Sequence, residues 1–162
     1  MTVLEIVKIP NKILKTPTEQ VTDFSEVEQI IKDMIETAIA NNLVGLAANQ
    51  VNISKSIFIV HVGTKLNDDG NQEIKFVPFI NPIVKSNREA GESWDWEGCG
   101  SLPGIQCLIK RWNKVSVKAQ TSKGESFEQD ASGLIARVIQ HENWHLQGKL
   151  IIENAREKRI IK

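Results

Sequence analysis

The residues best suited to chemistry lie near the end of the chain. His141-Glu142-Asn143-Trp144-His145 sets two imidazoles four positions apart with a carboxylate beside the first. On a helix that spacing is about one turn, so both rings can reach one ion while the carboxylate stands next to it. Histidine pairs also occur on helices that bind nothing, so the motif is half a site and needs a further donor. Leu134 and Val138 fall on the same helical stripe as His141 and His145. They extend the metal-facing side into an apolar wall where a substrate side chain could lie, an arrangement suited to a peptide hydrolase. Zincins commonly complete such a site from downstream, yet only Gly148, Lys149 and an Ile-rich stretch precede Glu153. The third ligand is therefore expected upstream. Cys99, within Glu97-Gly98-Cys99-Gly100-Ser101-Leu102-Pro103-Gly104, offers a sulfur in a Gly-flanked turn where backbone can approach a metal closely. His61, in the apolar run Ile57–Val62, reads as a strand-end histidine and not a ligand, and Cys107 as a buried apolar side chain.

These groups need elements to hold them. Ser25 and Glu28 are spaced as a capping box ahead of Val27, Ile30, Ile31, Met34, Ile35, Ala38 and Ile39, which predicts an amphipathic helix ending near Asn42. The pattern then turns β-branched. Strands are expected over 56–62 and 75–85 with a turn at Asn67–Asn71, and a hairpin from Val115–Ala119 through the turn Ser122-Lys123-Gly124. Periodicity is helical again from about Ala131 to Gln147, with Gly148 as the stop. Trp94 and Trp96 read as covering a core edge more readily than as a lid over substrate. This order gives an α+β fold: antiparallel strands packed around a C-terminal helix that carries HExxH.

Composition narrows the class. A chain of 162 residues, 41% hydrophobic, can close one sizeable core, so residues 1–162 are expected to form a single domain. Twenty basic residues balance twenty acidic ones, which gives no overall field for capturing nucleic acid or an anionic membrane. Lys149, Arg156, Lys158, Arg159 and Lys162 make the end locally basic, a pattern usual for a solvated tail; a weak contact with ribosomal RNA is the sharper alternative. No apolar run reaches the length of a membrane span, and the opening MTVLEIVKIPNK lacks the layout of a secretory signal, so the expected location is the cytoplasm. A disulfide between Cys99 and Cys107 is conceivable, but a sparse pair fits a reducing compartment better.

Three segments in order, Gly45-Leu46-Ala47-Ala48-Asn49-Gln50, Glu97-Gly98-Cys99-Gly100-Ser101 and Gln140-His141-Glu142-Asn143-Trp144-His145-Leu146, resemble the three motifs of peptide deformylases. The likeness extends to Ile9-Pro10, Asn81-Pro82, Arg111 with Val115, and Ala136-Arg137, and so covers nearly the whole chain. The resemblance implies removal of the formyl group from N-formyl-methionyl nascent peptides. It makes Cys99, His141 and His145 the ligands of a divalent ion, Fe(II) by family habit, with zinc or another divalent metal equally acceptable to the ligand set. Glu142 becomes the general base and then acid, with Gln50 and the Gly100 N–H as oxyanion donors. Gly45 would let substrate backbone lie alongside as an added strand, and Val44, Leu134 and Val138 would wall a methionine pocket. A transient ribosome contact is a further implied partner; a specific nucleic acid or a membrane is not.

Three positions depart from the family pattern: Gly100 replaces a bulky apolar residue, Trp144 a carboxylate, and Leu43 a glycine. Gly100 is expected to loosen a loop that should be fixed. Without a carboxylate at 144, Arg111 needs either a cation–π contact with Trp144 or pairing with Glu97. Two rival readings stand beside the resemblance. A general HExxH metallopeptidase would not need the Cys99 or Gln50 segments, and a non-catalytic, metal-stabilised binding module would tolerate change at Glu142.

Overall fold

The computed structural model describes residues 2–161, so Lys162 of the basic end lies outside them. In chain order the elements are α1 (Val27–Ala40), β1 (Gly45–Ala47), β2 (Ile57–Leu66), β3 (Gln72–Ser86), β4 (Glu92–Cys99), β5 (Leu102–Trp112), β6 (Lys114–Gln120), β7 (Ser126–Ser132), α2 (Gly133–Leu146), α3 (Ile151–Asn154) and β8 (Glu157–Ile160). One antiparallel sheet runs β1-β2-β3-β6-β7 and a second runs β4-β5-β8. Helix α2 packs on β1 and β2, and also meets β7 of the large sheet and β5 of the small one. The expected α+β arrangement around an HExxH helix is therefore observed.

Helix α1 forms because its apolar positions share one face: Val27, Ile31, Met34 and Ala38 are buried there against Leu46, Ile57 and Ile59. Its start differs from the expected capping box. The N-cap is Glu26, with no side-chain cap bond, and the Ser25 N–H instead donates to Asp23 Oδ1 at 2.9 Å in a local turn. A second core lies between α2 and the large sheet, where Ala136 and Ile139 meet Phe58, Phe79 and Val117. Phe58 and Phe79 are almost fully buried, with ring centroids 5.1 Å apart, and burial of each side chain contributes roughly 2–3 kcal/mol. Helix α2 begins two residues later than periodicity suggested, because Ala131 and Ser132 finish β7 as partners of Val115 and Lys114. Gly148, at φ +74°, ends the segment as expected; a Cβ there would lie 2.6 Å from the Lys15 carbonyl oxygen.

The tryptophan-rich segment is strand β4, paired with β5 from Glu92↔Trp112 to Cys99↔Leu102. Trp94 is 43% exposed, with Arg156 over its ring at 5.3 Å, and Arg159 lies 4.0 Å from the centroid of Trp96. The basic end is correspondingly not a free tail, since Glu157–Ile160 pairs with Ile105–Leu108 as β8. His61 lies on β2 and meets Phe76 edge-on at 5.6 Å, Cys107 is fully buried, and both cysteines are free thiols. No helix among the described residues is long and apolar enough to cross a membrane.

Candidate metal centre

Two pieces of chain far apart in sequence meet at the site. Helix α2 supplies His141 and His145, whose ring centroids are 5.2 Å apart, and the end of β4 brings Cys99 over them. One donor atom from each of the three residues lies within 4.8 Å of the others, and Cys99 Sγ is 3.3 Å from His145 Nε2. A bulge between Glu97 and Cys99 precedes the two-residue turn Gly100-Ser101. Such an irregularity re-aims the side chains that follow it. Burial alone would push the Cys99 thiol up, but the charges and hydrogen bonds of His145 and His141 outweigh it and hold the thiol well below its ordinary value. The sulfur is thus poised as a thiolate. One thiolate and two imidazoles, brought this close, suit a divalent transition ion.

Glu97 fixes the first histidine. Its carboxylate accepts from His141 Nδ1 at 2.8 Å, from Arg111 Nε and Nη2 at 3.0 and 2.9 Å, and from Arg137 Nη1 at 3.3 Å. Burial works to raise the Glu97 pKa, yet the bonds from His141 and Arg111 bring it down to about 2. Burial likewise pulls the His141 imidazolium down, and its bonds to Cys99 and Glu97 outweigh that and push it up to about 10 in the metal-free cluster. Arg111 has both partners that the sequence left as alternatives: besides the Glu97 fork, its guanidinium carbon lies 4.0 Å from the Trp144 ring centroid. Arg137 is held in turn by the carbonyls of Ile109 at 2.7 Å and Ser93 at 3.0 Å.

Glu142 is 4% exposed, and its Oε2 has no hydrogen-bond partner among the described residues. Burial raises its pKa above the ordinary carboxylate value, against the opposing charges of His141 and His145. Gly45 lies against it: a Cβ at 45 would sit 2.7 Å from Glu142 Oε1 and 2.7 Å from Val138 Cγ1. The glycine is thus needed first for the approach of α2 to β1. Gln50, in the 3-10 turn Ala48–Val51, accepts from the Ala47 N–H at 3.0 Å through Oε1. Its Nε2 donates to Ser101 Oγ at 3.2 Å and points at Cys99 Sγ at 3.5 Å.

Gln50, Cys99, Gly100, His141, Glu142, Val44, Gly45, Leu134 and Val138 all line one cleft of about 410 Å³, with His145 buried beneath it. Within it Val44 and Leu134 are exposed and Val138 is nearly buried, so the first two line the mouth. A larger groove, about 1020 Å³, opens elsewhere along β3 and β6 and contains none of the cluster residues. Sequence reasoning did not find Glu97 as the partner of His141, nor Ser101 as the acceptor for Gln50. The only signal for either was membership of the Glu97–Ser101 segment.

A cysteine and an HExxH helix converging between two antiparallel sheets define the class as a metal-dependent hydrolase. The polypeptide deformylase family description matches residues 3–160, and the chain belongs to that family. Peptide deformylase 1 of Bacillus anthracis is 42% identical over 151 residues, covering 93% of this chain and 90% of that one. Among solved structures, peptide deformylase from Thermotoga maritima superposes with a TM-score of 0.84 at 33% identity, covering 97% of this chain and 100% of that one. The Met-Ala-Ser-bound class I type b peptide deformylase from Acinetobacter baumannii gives a TM-score of 0.82 at 31% identity, over 94% of this chain and 98% of its counterpart.

Proposed function

We propose that this chain is a peptide deformylase that hydrolyses the N-formyl group from formyl-methionyl nascent peptides, acting as one catalytic domain in the cytoplasm. The observation that carries the reading is the Cys99–His141–His145 cluster, with the unpartnered Glu142 carboxylate beside it on the wall of an accessible cleft. Cys99, His141 and His145 would hold the ion, which when bound supplies Lewis acidity and an acidified water. Glu142 takes the proton of the attacking water and returns it to the departing amine; its raised pKa favours that exchange. The Gly100 N–H and the Gln50 amide donate to the oxygen that becomes negative during attack. An amide nitrogen has two hydrogens, and both of Gln50's already have protein partners, so it donates by giving up the 3.5 Å contact to Cys99. Strand β1 is an edge of its sheet, which leaves Gly45 free to pair with an extended peptide. Val44, Leu134 and Val138 then receive the methionine side chain. We further propose Fe(II) as the native ion, and a transient ribosome contact as the route to substrate.

Formate release from formyl-Met-Ala-Ser, measured beside cleavage of an unformylated decapeptide, tests the reading. Formate release with no internal cleavage is expected. Internal cleavage would mark a general metallopeptidase, and metal binding without either activity would mark a binding module. Protein prepared without oxygen should contain iron and lose turnover when iron is exchanged for zinc; equal turnover with zinc would refute the choice of ion.

A further inference from the structure

Gly100 has no backbone reason to be glycine, since it is absent from the positive-φ residues that include Gly91 and Gly104 on the same two-stranded segment. Its constraint is steric. A Cβ at position 100 would meet Leu43 Cδ1 at 3.2 Å, closer than the carbon–carbon optimum of about 3.5–4.0 Å, with Leu43 Cδ2 at 3.4 Å and Ile6 Cδ1 at 3.7 Å in contact beside it. Gly98, two residues earlier, shows the contrast, because a Cβ there would meet nothing within 4 Å. Leu43 is well anchored for such a role. Its N–H donates to the Ala38 carbonyl at 2.9 Å, at the end of α1, and its side chain packs on the core beneath that helix. The following residues, Val44 and Gly45, line the cleft together with Leu43 and Gly100.

We infer that Leu43 is a positioning residue: its side chain fills the volume that a side chain at 100 would need, and so fixes the Gly100 peptide at the cleft. This rests on the deformylase reading, in which the Gly100 N–H faces the developing oxyanion. Bulk at 43 and its absence at 100 form one unit. The expected loosening of the loop by glycine is thereby offset by a neighbour from another part of the chain. Leu43 filling this space sets the wall of the cleft at 43–45 against the turn after Cys99, so disturbing either side would misplace an oxyanion donor without removing a ligand.

A double-substitution cycle tests this on the metal-loaded enzyme, reading kcat and KM for formyl-Met-Ala-Ser, metal content and thermal midpoint. Gly100→Leu is expected to lower kcat about 100-fold at unchanged metal content, the size of effect that a misplacement of about 1 Å produces. Leu43→Gly should lower kcat about 10-fold through lost support, and the combined variant should recover to within about 5-fold of the parent. If Gly100→Leu does not fold, Gly100→Ala with and without Leu43→Ala gives the same comparison at lower bulk. Losses that multiply in the combined variant would overturn the inference, as would recovery of the thermal midpoint without recovery of kcat. An inactive parent overturns the deformylase reading and this inference with it, whereas an active parent with uncoupled variants overturns this inference alone.

Discussion

Replacing Glu97 by Gln should cost this protein both stability and metal affinity, and the structure sets the size of each loss. Glu97 is 8% exposed and is the only carboxylate, among the described residues, bonded to Arg111, Arg137 and His141 together. Glutamine keeps the shape but removes the charge and turns one acceptor into a donor facing other donors. Holding the carboxyl at about 2 where 4.5 is ordinary corresponds to about 3 kcal/mol, at about 1.4 kcal/mol per tenfold. The shift is downward, so that contribution is fully present above pH 4.5 and is lost as pH falls toward 2; at neutral pH the parent has all of it. Removing one partner of a buried pair costs about 3–5 kcal/mol by a separate route of reasoning, which agrees. A loss of about 3 kcal/mol is therefore expected at pH 7, measured from urea unfolding of the metal-free proteins. His141 also loses the anion that orients its ring, so zinc affinity by chelator competition should fall about 10–100-fold. A stability change under about 1 kcal/mol together with unchanged zinc affinity would show that Glu97 does not hold this cluster.

Gly45→Ala places a methyl 2.7 Å from both Glu142 Oε1 and Val138 Cγ1, so overpacking should destabilise the fold by about 1–3 kcal/mol and displace the base. Thermal unfolding and kcat should both fall, and an unchanged kcat would mean that Glu142 tolerates the shift. In metal-stripped protein at pH 8, iodoacetamide should modify Cys99 and spare Cys107, because the first thiol is held low by its histidines while burial pushes the second up. Mass spectrometry of the digest locates the label; modification of Cys107 first would contradict the site's electrostatics. Metal loading should protect Cys99 from the same reagent.

How much of this was legible in the sequence depends on the range of the interactions. The pairing of His141 with His145 was readable because helical spacing alone brings both to one side of α2. Cys99 stood out as a sulfur in a Gly-flanked turn and through the resemblance of its segment to the deformylase motif, and the structure brings it to the two histidines. Strand β4 was not, since Trp94-Asp95-Trp96-Glu97 puts its tryptophans on a face closed by Arg156 and Arg159, about sixty positions later, instead of on an apolar core. The strand at the basic end was missed for the same reason, as β8 exists only through its pairing with β5, while its side chains are solvated as expected. The capping box at Ser25 was a local signal overridden by another local one, the Asp23 turn. Gly100 taken singly read as a loosened loop and Leu43 only as a replaced glycine, and their fit is visible only once the Leu43 side chain is seen in the space a Cβ at 100 would need.

Glu142 is proposed to move the proton at the Cys-His-His site. The most direct test is the deformylation rate of Glu142→Gln against the parent, at matched metal content, on formyl-Met-Ala-Ser. An intact fold, equal metal and a loss of about 100–10,000-fold in turnover are expected, because an amide cannot accept the proton of water. Turnover equal to the parent's would contradict that role and require a different base.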